Sequence, residues 1–247
     1  MKLIILAAGY ATRLYPLTLT TPKPLLPVGG RPMIDRVLES LAPVQGIDMA
    51  FVVTNSKFTA AFESWNRQRN GQGIPCTIIN DGTTDESNRL GAIGDLGLVI
   101  RSQQLADDLL VVAGDNLFTE PLQGFGEFCC ARQMPVLGVY DVGSLDEARK
   151  YGVVELDADG RLIHFEEKPT QPRSTLLGVA LYYYPKAVVP SVLDYLAEGN
   201  NPDQPGRLVQ WLYPRQAVFT WQVKGGWLDI GSKESLEAAN GLFAGKP

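Results

Sequence analysis

Residues 2–14 read KLIILAAGYATRL, a short apolar run that passes into small residues and ends beside an arginine. An apolar run of this length, followed by small residues, is typical of a buried strand that ends in a tight turn. Small residues directly after a strand let backbone N–H groups approach a phosphate closely, and Arg13 adds a guanidinium that suits phosphate oxygens. An ordinary turn explains Ala8-Gly9 alone, so the neighbouring residues decide between the two interpretations.

A second basic position follows in residues 22–28, which read PKPLLPV. Pro22 and Pro24 fix the backbone on both sides of Lys23 and so reduce the entropy lost in directing its ammonium group. Residues 1–34 carry four positive charges and no acid within a chain of net charge −5, so the remaining residues carry −9. This distribution indicates a small anionic ligand bound by the basic segment, although chance clustering on a solvated surface explains the charge equally well.

The composition argues against several classes of protein. The chain has 247 residues, of which 45% are hydrophobic and 20% charged, as in an ordinary globular domain. Its negative charge argues against a nucleic-acid binder, and no apolar run approaches the roughly 20 residues that span a bilayer. The three cysteines form no C-x-x-C pair and His164 is the single histidine, which argues against a zinc site. We recognise no secretory signal and expect a reduced, cytoplasmic protein without nucleic-acid or membrane partners; the oligomeric state stays open, a homo-oligomer included.

Apolar runs alternate with helical patterns through the first half of the chain. We predict strands at residues 3–6, 49–53, 76–79 and 109–113, and helices at residues 32–41, 56–69 and 92–101. Such alternation is typical of parallel strands with helices on both faces of the sheet. In the second half we predict strands at residues 135–141, 152–156, 162–166, 177–184 and 218–223, and helices at residues 186–197, 206–213 and 232–243. The pattern predicts a single α/β domain, residues 1–247, with a mixed, mostly parallel sheet.

Ligands of such sheets bind beyond the carboxyl ends of the strands. The loops at Gly9, Asn80, Asp115 and Glu167 are therefore the candidate sites. Neither G-x-G-x-x-G nor G-x-x-x-x-G-K-[ST] is present, which argues against a Rossmann dehydrogenase and a P-loop enzyme.

Residues 6–28 resemble, in order, the signature of the sugar-1-phosphate nucleotidylyltransferases, L-A-A-G-x-G-T-R-L-x-P-L-T followed by P-K-P-L-L-P-V. Later stretches resemble further landmarks of that family: residues 113–116 (AGDN), 151–155 (YGVVE), 165–169 (FEEKP), 177–182 (LGVALY) and 226–231 (GWLDIG). The resemblance covers nearly the full chain and implies a Rossmann-like nucleotide-diphospho-sugar transferase fold. It also implies a nucleotide-binding half at about residues 1–115 and a sugar-phosphate-binding half at about residues 116–247.

The main departure from the family pattern is Ala11, which stands where the family usually has its second glycine. An alanine keeps such a loop if its φ angle is negative, so we expect a tighter loop here. Leu177 likewise replaces a residue that is usually polar.

The resemblance assigns the nucleotide to the first loop and to residues after the third strand. The implied nucleotide-binding residues are Leu6, Ala8, Gly9, Tyr10, Ala11, Thr12, Arg13, Lys23, Asn80 and Gly91. Among these, Arg13 and Lys23 are implied to neutralise the triphosphate.

The resemblance also implies a metal site and a sugar-phosphate site. Asp115 and Asp229 would hold Mg²⁺ and Lys168 would take the sugar phosphate, so the implied catalytic residues are Arg13, Lys23, Asp115, Lys168 and Asp229. The implied sugar-phosphate-binding residues are Asn116, Gly152, Glu167, Lys168 and Gly178. Considered alone, an aspartate at a strand end is more often a turn residue, and residues 166–168 fit a solvated hairpin edge.

Members of this family transfer a nucleotidyl group from a nucleoside triphosphate to a sugar 1-phosphate, and the resemblance implies this Mg²⁺-dependent reaction with those two substrates as partners. Residues 80–92 only partly match the Q-x-x-P-x-G-L-A-x-A stretch of members that use dTTP or UTP. A pyrimidine triphosphate is favoured, with UTP, dTTP and CTP left open. Two alternatives stay open: a cytidylyltransferase acting on a phospho-alcohol such as phosphocholine, and a catalytically silent, sugar-nucleotide-sensing regulatory subunit of the same fold.

Overall fold

The computed structural model describes residues 1–245. The strands, in chain order, are β1 (Lys2–Leu6), β2 (Pro27–Val28), β3 (Arg31–Pro32), β4 (Met49–Thr54), β5 (Cys76–Asn80), β6 (Leu109–Ala113), β7 (Asn116–Phe118), β8 (Val136–Asp141), β9 (Gly152–Leu156), β10 (Leu162–Glu167), β11 (Leu176–Tyr184), β12 (Phe219–Gln222) and β13 (Trp227–Asp229). The helices are α1 (Met33–Leu41), α2 (Thr59–Gln68), α3 (Ala92–Ser102), α4 (Gln123–Arg132), α5 (Leu145–Ala148), α6 (Pro190–Ala197), α7 (Pro205–Leu212) and α8 (Lys233–Phe243).

The chain divides into two compact units. The first contains residues 1–90, 112–123 and the segment from Gly225 onward, and the second contains residues 91–111 and 124–224. The boundary falls within β6: its last two residues belong to the first unit, and its first three residues belong to the second. The single domain and the two halves expected from the sequence stay a prediction.

The first unit is built on parallel strands. Strand β1 pairs with β4, and β4 pairs with β5, both in parallel register. Leu3, Ile4 and Ile5 of β1 are fully buried, as expected for the centre of a parallel sheet covered on both faces. Helix α1 starts directly after Pro32, a residue tolerated at a helix start because its missing N–H has no helical partner there.

The second unit contains most of the antiparallel pairing. Strand β11 pairs antiparallel with both β8 and β9, β9 pairs antiparallel with β10, and β12 runs parallel to β8. Helices α3, α6 and α7 pack on one another, and α7 also packs on β10. The α/β class, the mixed sheet and its helices, all predicted from the sequence, are confirmed.

Helices α4 and α5, the pair of β2 and β3, and the pair of β7 and β13 were not predicted. Helix α4 reads QGFGEFCCAR, a sequence with two glycines and only weak apolar periodicity. It could not be recognised as a helix from the sequence, because each glycine lowers helix propensity by about 1 kcal/mol. The short ladder between β7 and β13 joins residues more than 100 positions apart, and each strand is only three residues long. The helix predicted from residue 186 begins at Pro190. Within the described residues, no helix is both long enough and apolar enough to cross a bilayer.

Candidate active site

The loop after β1 is held by buried side chains from two other segments of the chain. The amide of Asn55 donates to the carbonyl oxygen of Ala8 at 2.8 Å. The hydroxyl of Tyr10 lies 3.1 Å from Oγ1 of Thr83, and both residues are buried. Among the described residues, and apart from the chain neighbours of Gly9 itself, no atom lies within 4 Å of the position that a Cβ on Gly9 would take, so a ligand can approach the backbone there.

Ala11 is left-handed, with φ +49° and ψ +45°. The negative φ expected from the sequence is therefore wrong, although the loop is retained. The fully buried Thr18 donates its hydroxyl to the carbonyl oxygen of Ala11 at 2.7 Å, and the backbone N–H of Leu14 donates to the same oxygen at 3.0 Å. These bonds stabilise a conformation that costs an alanine about 1–2 kcal/mol.

A cleft of about 310 Å³ brings the predicted catalytic residues of the first unit together. It is lined by Ala11, Thr12, Arg13, Leu14, Lys23, Glu86, Asp115, Asp229 and Gly231. Two cationic side chains and two aspartates, drawn from the start, the middle and the end of the sequence, therefore share one small polar cleft. Glu86 was not predicted, and nothing in its sequence context distinguishes it from a surface residue.

Lys23 and Asp115 form an ion pair inside this cleft, with Nζ 2.5 Å from Oδ2. Lys23 lies in a single turn of 3-10 helix that follows Pro22. A Cβ on Gly114 would come within 3.1 Å of the Pro24 ring, a contact tighter than most, so this close approach favours glycine. Gly114 thus lets the turn that contains Lys23 and Pro24 lie against the end of β6.

Asn116 lies between the two aspartates predicted as metal ligands. The ladder of β7 and β13 places Asn116 directly opposite Asp229. The Nδ2 atom of Asn116 lies 3.1 Å from Oδ1 of Asp115 and 3.4 Å from Oδ1 of Asp229. Its Oδ1 atom accepts a hydrogen bond from the indole nitrogen of Trp227 at 2.8 Å. The predicted contact of Asn116 with a sugar phosphate stays a prediction, whereas both ends of its amide are engaged within the protein.

The two aspartates have the donor chemistry that Mg²⁺ prefers. Both contact the same amide nitrogen, so their carboxylates lie close together beside the cationic groups of the cleft. Mg²⁺ is commonly held by one or two carboxylates together with substrate phosphates and water, not by a closed protein cage. In the part of the chain that the structure describes, no group of three or more His, Cys, Asp or Glu side chains forms such a cage.

The second unit contains the predicted sugar-phosphate residues other than Asn116. Glu167 ends β10, and burial raises the pKa of its carboxyl group while the charges of Lys168 and Arg207 oppose the shift. Lys168 is exposed and has a left-handed backbone with φ +50°. Its N–H donates to the carbonyl oxygen of Tyr151 at 3.0 Å. Left-handed lysine is uncommon, and such strain is concentrated at functional sites.

Glycines surround Phe165 and the carboxylate of Glu167. A Cβ on Gly152 would come within 2.6 Å of the Phe165 ring and 3.1 Å of Oε2 of Glu167. A Cβ on Gly206 would come within 2.7 Å of the Phe165 ring and 3.3 Å of Oε2 of Glu167. A Cβ on Gly178 would come within 3.2 Å of the same ring. Gly206, at the start of α7, was not predicted because a glycine near a helix start has no sequence signature of its own.

Other predicted nucleotide-binding residues are engaged in local structure. The side chain of Asn80 accepts from the N–H of Gly82 at 2.9 Å and from Oγ of Ser56 at 3.0 Å. Gly91 has φ +79°, and a Cβ there would lie 2.6 Å from the carbonyl oxygen of Pro202. Gly91 therefore has a packing requirement within the second unit. The nucleotide roles of Asn80 and Gly91 stay predictions.

The backbone of Leu6 also has a defined partner. Its carbonyl oxygen accepts the N–H of Gly114 at 2.9 Å, which fixes the first loop beside the G-D motif. Thr12 begins a turn of 3-10 helix and is exposed, together with Arg13, at the cleft.

Comparison with known proteins identifies relatives of this chain. The profile of the family described as Nucleotidyl transferase matches residues 2–244. A Sulfolobus acidocaldarius protein named "Putative mannose-1-phosphate guanyltransferase" is 34% identical over 234 residues, which cover 92% of this chain and 59% of that protein. The glucose-1-phosphate thymidylyltransferase of Streptomyces griseus is 30% identical over 246 residues, which cover 98% of this chain and 66% of that protein. The chain thus spans about 60–66% of the length of these two relatives.

A solved structure supports the fold. The crystal structure of a UDP-glucose pyrophosphorylase complexed with UDP-glucose matches with a TM-score of 0.83 at 21% identity, covering 100% of this chain and 99% of that one. The profile match extends over almost all the described residues. The chain belongs to the nucleotidyl transferase family, which confirms the family predicted from its motifs.

Proposed function

We propose that this protein transfers a nucleotidyl group from a nucleoside triphosphate to a sugar 1-phosphate and releases pyrophosphate. The observation that carries the proposal is the convergence of Arg13, Lys23, Asp115 and Asp229 on one cleft. The names of the relatives support it, since one is a glucose-1-phosphate thymidylyltransferase and another is named for mannose-1-phosphate guanylyl transfer.

The proposed reaction needs little acid–base machinery. A phosphate oxygen of the sugar 1-phosphate, already anionic, bonds to the α-phosphorus of the triphosphate, and the bond from that phosphorus to the bridging oxygen breaks as pyrophosphate leaves. The main obstacle is repulsion between two anions, which positioning and fixed positive charge overcome. In this proposal Arg13 and Lys23 neutralise the triphosphate and Lys168 binds the sugar phosphate.

Asp115 and Asp229 are the residues that would hold Mg²⁺ in this proposal. When bound, the ion would supply positive charge to the phosphates, which is the usual contribution of Mg²⁺ to phosphoryl and nucleotidyl transfer. The chain's own part is to keep both carboxylates close together, with Lys23 paired to the carboxylate of Asp115.

For the base, we propose a pyrimidine triphosphate, with UTP, dTTP and CTP as the candidates. The support is the partial match of residues 80–92 to the dTTP- and UTP-using pattern, and the thymidylyltransferase relative agrees with it. The guanyltransferase relative requires that GTP be tested as well. We also propose that the protein works in the cytoplasm.

The experiment is a matrix of five triphosphates, ATP, GTP, CTP, UTP and dTTP, against sugar 1-phosphates and alcohol phosphates that include phosphocholine. Pyrophosphate release with Mg²⁺ is the readout. Asp229→Asn is the inactive control, and Asp48→Asn, which removes only the surface partner of Lys2, is the matched control that should retain activity. We expect release with a sugar 1-phosphate and a pyrimidine triphosphate. Release only with phosphocholine and CTP would support the alcohol-phosphate alternative, and no release with any pair would support the silent sensor.

A further inference from the structure

Asn116 has an unusual position for a residue predicted to contact a substrate. It is only 3% exposed, although it lies directly between the two aspartates of the cleft. Its Nδ2 group has two hydrogens, and the distances of 3.1 Å and 3.4 Å allow one hydrogen for each carboxylate. A single amide therefore contacts one oxygen of each of two acids that would otherwise repel each other.

Trp227 determines which end of this amide faces the carboxylates. An indole nitrogen can only donate, so the atom 2.8 Å from it must be the amide oxygen of Asn116. The NH₂ group must then face Asp115 and Asp229. The reverse orientation would place the amide oxygen against two carboxylates and the NH₂ group against an indole N–H.

The backbone supports the same arrangement. Asn116 and Asp229 are paired across the β7–β13 ladder, and side chains on such opposite residues lie next to each other. The N–H of Ile230 also donates to the carbonyl oxygen of Asp115 at 3.1 Å, which fixes the strand ends around the amide. Two motifs more than 100 residues apart are thus joined at the residue that contacts both acids.

We propose that Asn116 is a positioning residue for the divalent cation, with Trp227 holding its amide. By binding Oδ1 of Asp115 and Oδ1 of Asp229, the amide lowers the repulsion between the carboxylates and fixes their direction before an ion arrives. Partners of this kind typically change metal affinity 10–100-fold when removed. The inference rests on the proposed function and assigns Asn116 to the metal site and not to the sugar phosphate.

The test measures metal affinity directly. Mn²⁺ binding to the purified protein is followed by electron paramagnetic resonance, with a triphosphate analogue that cannot be cleaved between its α- and β-phosphates. We expect Asn116→Ala to weaken Mn²⁺ binding about 10–100-fold and Trp227→Phe to weaken it by a smaller factor. The double variant should bind Mn²⁺ no more weakly than Asn116→Ala, because both changes act through the same amide. Trp221→Phe, a matched loss of an indole that packs on Phe125, should leave Mn²⁺ binding unchanged.

Kinetics separate this role from a substrate contact. In Asn116→Ala, raising the Mg²⁺ concentration should restore most of the turnover, and the KM for the sugar 1-phosphate should stay unchanged. Unchanged Mn²⁺ affinity in Asn116→Ala would overturn the inference, as would a raised KM for the sugar phosphate that Mg²⁺ does not correct. If Asn116→Ala does not fold, Trp227→Phe with wild-type Mn²⁺ affinity would overturn it. Wild-type protein that binds no Mn²⁺ would overturn both the inference and the proposed metal site, whereas normal wild-type binding leaves the proposed metal site standing.

Discussion

The ammonium group of Lys23 lies 2.5 Å from Oδ2 of Asp115, so the lysine predicted to bind phosphate is paired with an aspartate predicted to bind metal. Both side chains are partly buried, at 14% and 27% exposure. A lysine at this position supplies positive charge to the cleft and compensates the carboxylate at the same time. The two predicted roles are therefore electrostatically linked before any ligand is present.

We expect Lys23→Met to reduce turnover at least a hundredfold and to raise the KM for the triphosphate. The reason is that the variant loses a fixed charge next to the reacting phosphates, a contact of the kind worth about 3–4 kcal/mol in a transition state. Steady-state kinetics of pyrophosphate release measure this effect. Lys2→Met, which breaks an ion pair with Asp48 away from the cleft, is the control and should keep normal kinetics. Normal turnover in Lys23→Met would remove Lys23 from the mechanism.

Arg13→Ala and Asp229→Ala should each give a folded protein with turnover reduced at least a hundredfold. Both side chains line the cleft, Arg13 is exposed and Asp229 is only half-buried, so truncation removes charge without opening the core. Pyrophosphate release gives the rate and circular dichroism gives the folded state. A near-normal rate in either variant would exclude that residue from catalysis.

Ala11→Gly should raise the free energy of unfolding by about 0.5–1 kcal/mol. Glycine adopts the left-handed conformation without the cost of about 1–2 kcal/mol that alanine bears, and the greater entropy of unfolded glycine offsets part of the gain. Urea denaturation measures the change. Ala238→Gly, at an exposed position in the middle of α8, is the matched control and should lower stability by about 1 kcal/mol. Equal losses in both variants would contradict the left-handed assignment of Ala11.

Gly206→Ala should raise the KM for the sugar 1-phosphate while leaving the KM for the triphosphate unchanged. The added Cβ would come 2.7 Å from the Phe165 ring and 3.3 Å from Oε2 of Glu167, so the ring or the carboxylate must move. Overpacking of this kind also costs about 1–3 kcal/mol of stability. Kinetics with each substrate varied in turn provide the measurement. Gly241→Ala is the control, since a Cβ there meets no atom within 4 Å among the residues described, its own helix backbone aside. An unchanged KM for the sugar 1-phosphate in Gly206→Ala would contradict the assignment.

Glu167 should make the protein less stable as the pH rises. Burial raises the pKa of its carboxyl group in the folded state, so between the ordinary and the raised pKa the unfolded chain has lost a proton that the folded protein keeps. Stability falls across that interval, and Glu167→Gln lacks this effect. Urea denaturation of both proteins between pH 4 and pH 8 should show the variant gaining stability relative to wild type as the pH rises. If the stability of the variant relative to wild type stays constant or falls as the pH rises, the assigned pKa shift is contradicted.

The sequence predicted which charged residues line the cleft, but it did not predict the contacts that position them. Arg13 and Lys23 were suggested by local signals, a strand end and flanking prolines, and the family resemblance then assigned their roles. Asp115 and Asp229 were assigned by that resemblance alone, because an aspartate at a strand end is by itself more often a turn residue. The structure brings these four residues together. The roles of Asn80 and Gly91 could not be judged in this way, because a turn or packing role leaves the same local pattern.

The remaining features depend on long-range contacts. The β7–β13 ladder is three residues long on each side, so it has no periodicity that a sequence pattern could reveal. The left-handed φ of Ala11 depends on the hydroxyl of Thr18, and the need for Gly206 depends on where Phe165 packs. A backbone conformation or a need for glycine of this kind can be recognised only when the residues that contact the position are known.

In the proposed function, a nucleoside triphosphate and a divalent cation share the cleft of Arg13, Lys23, Asp115 and Asp229. A crystal structure of the protein with Mn²⁺ and the uncleavable triphosphate analogue, with anomalous scattering recorded for the metal, tests it most directly. We expect an anomalous peak contacting oxygens of both Asp115 and Asp229, with triphosphate oxygens beside Arg13 and Lys23. A nucleotide bound away from the loop at residues 8–13, or a metal peak that contacts neither aspartate, would contradict it.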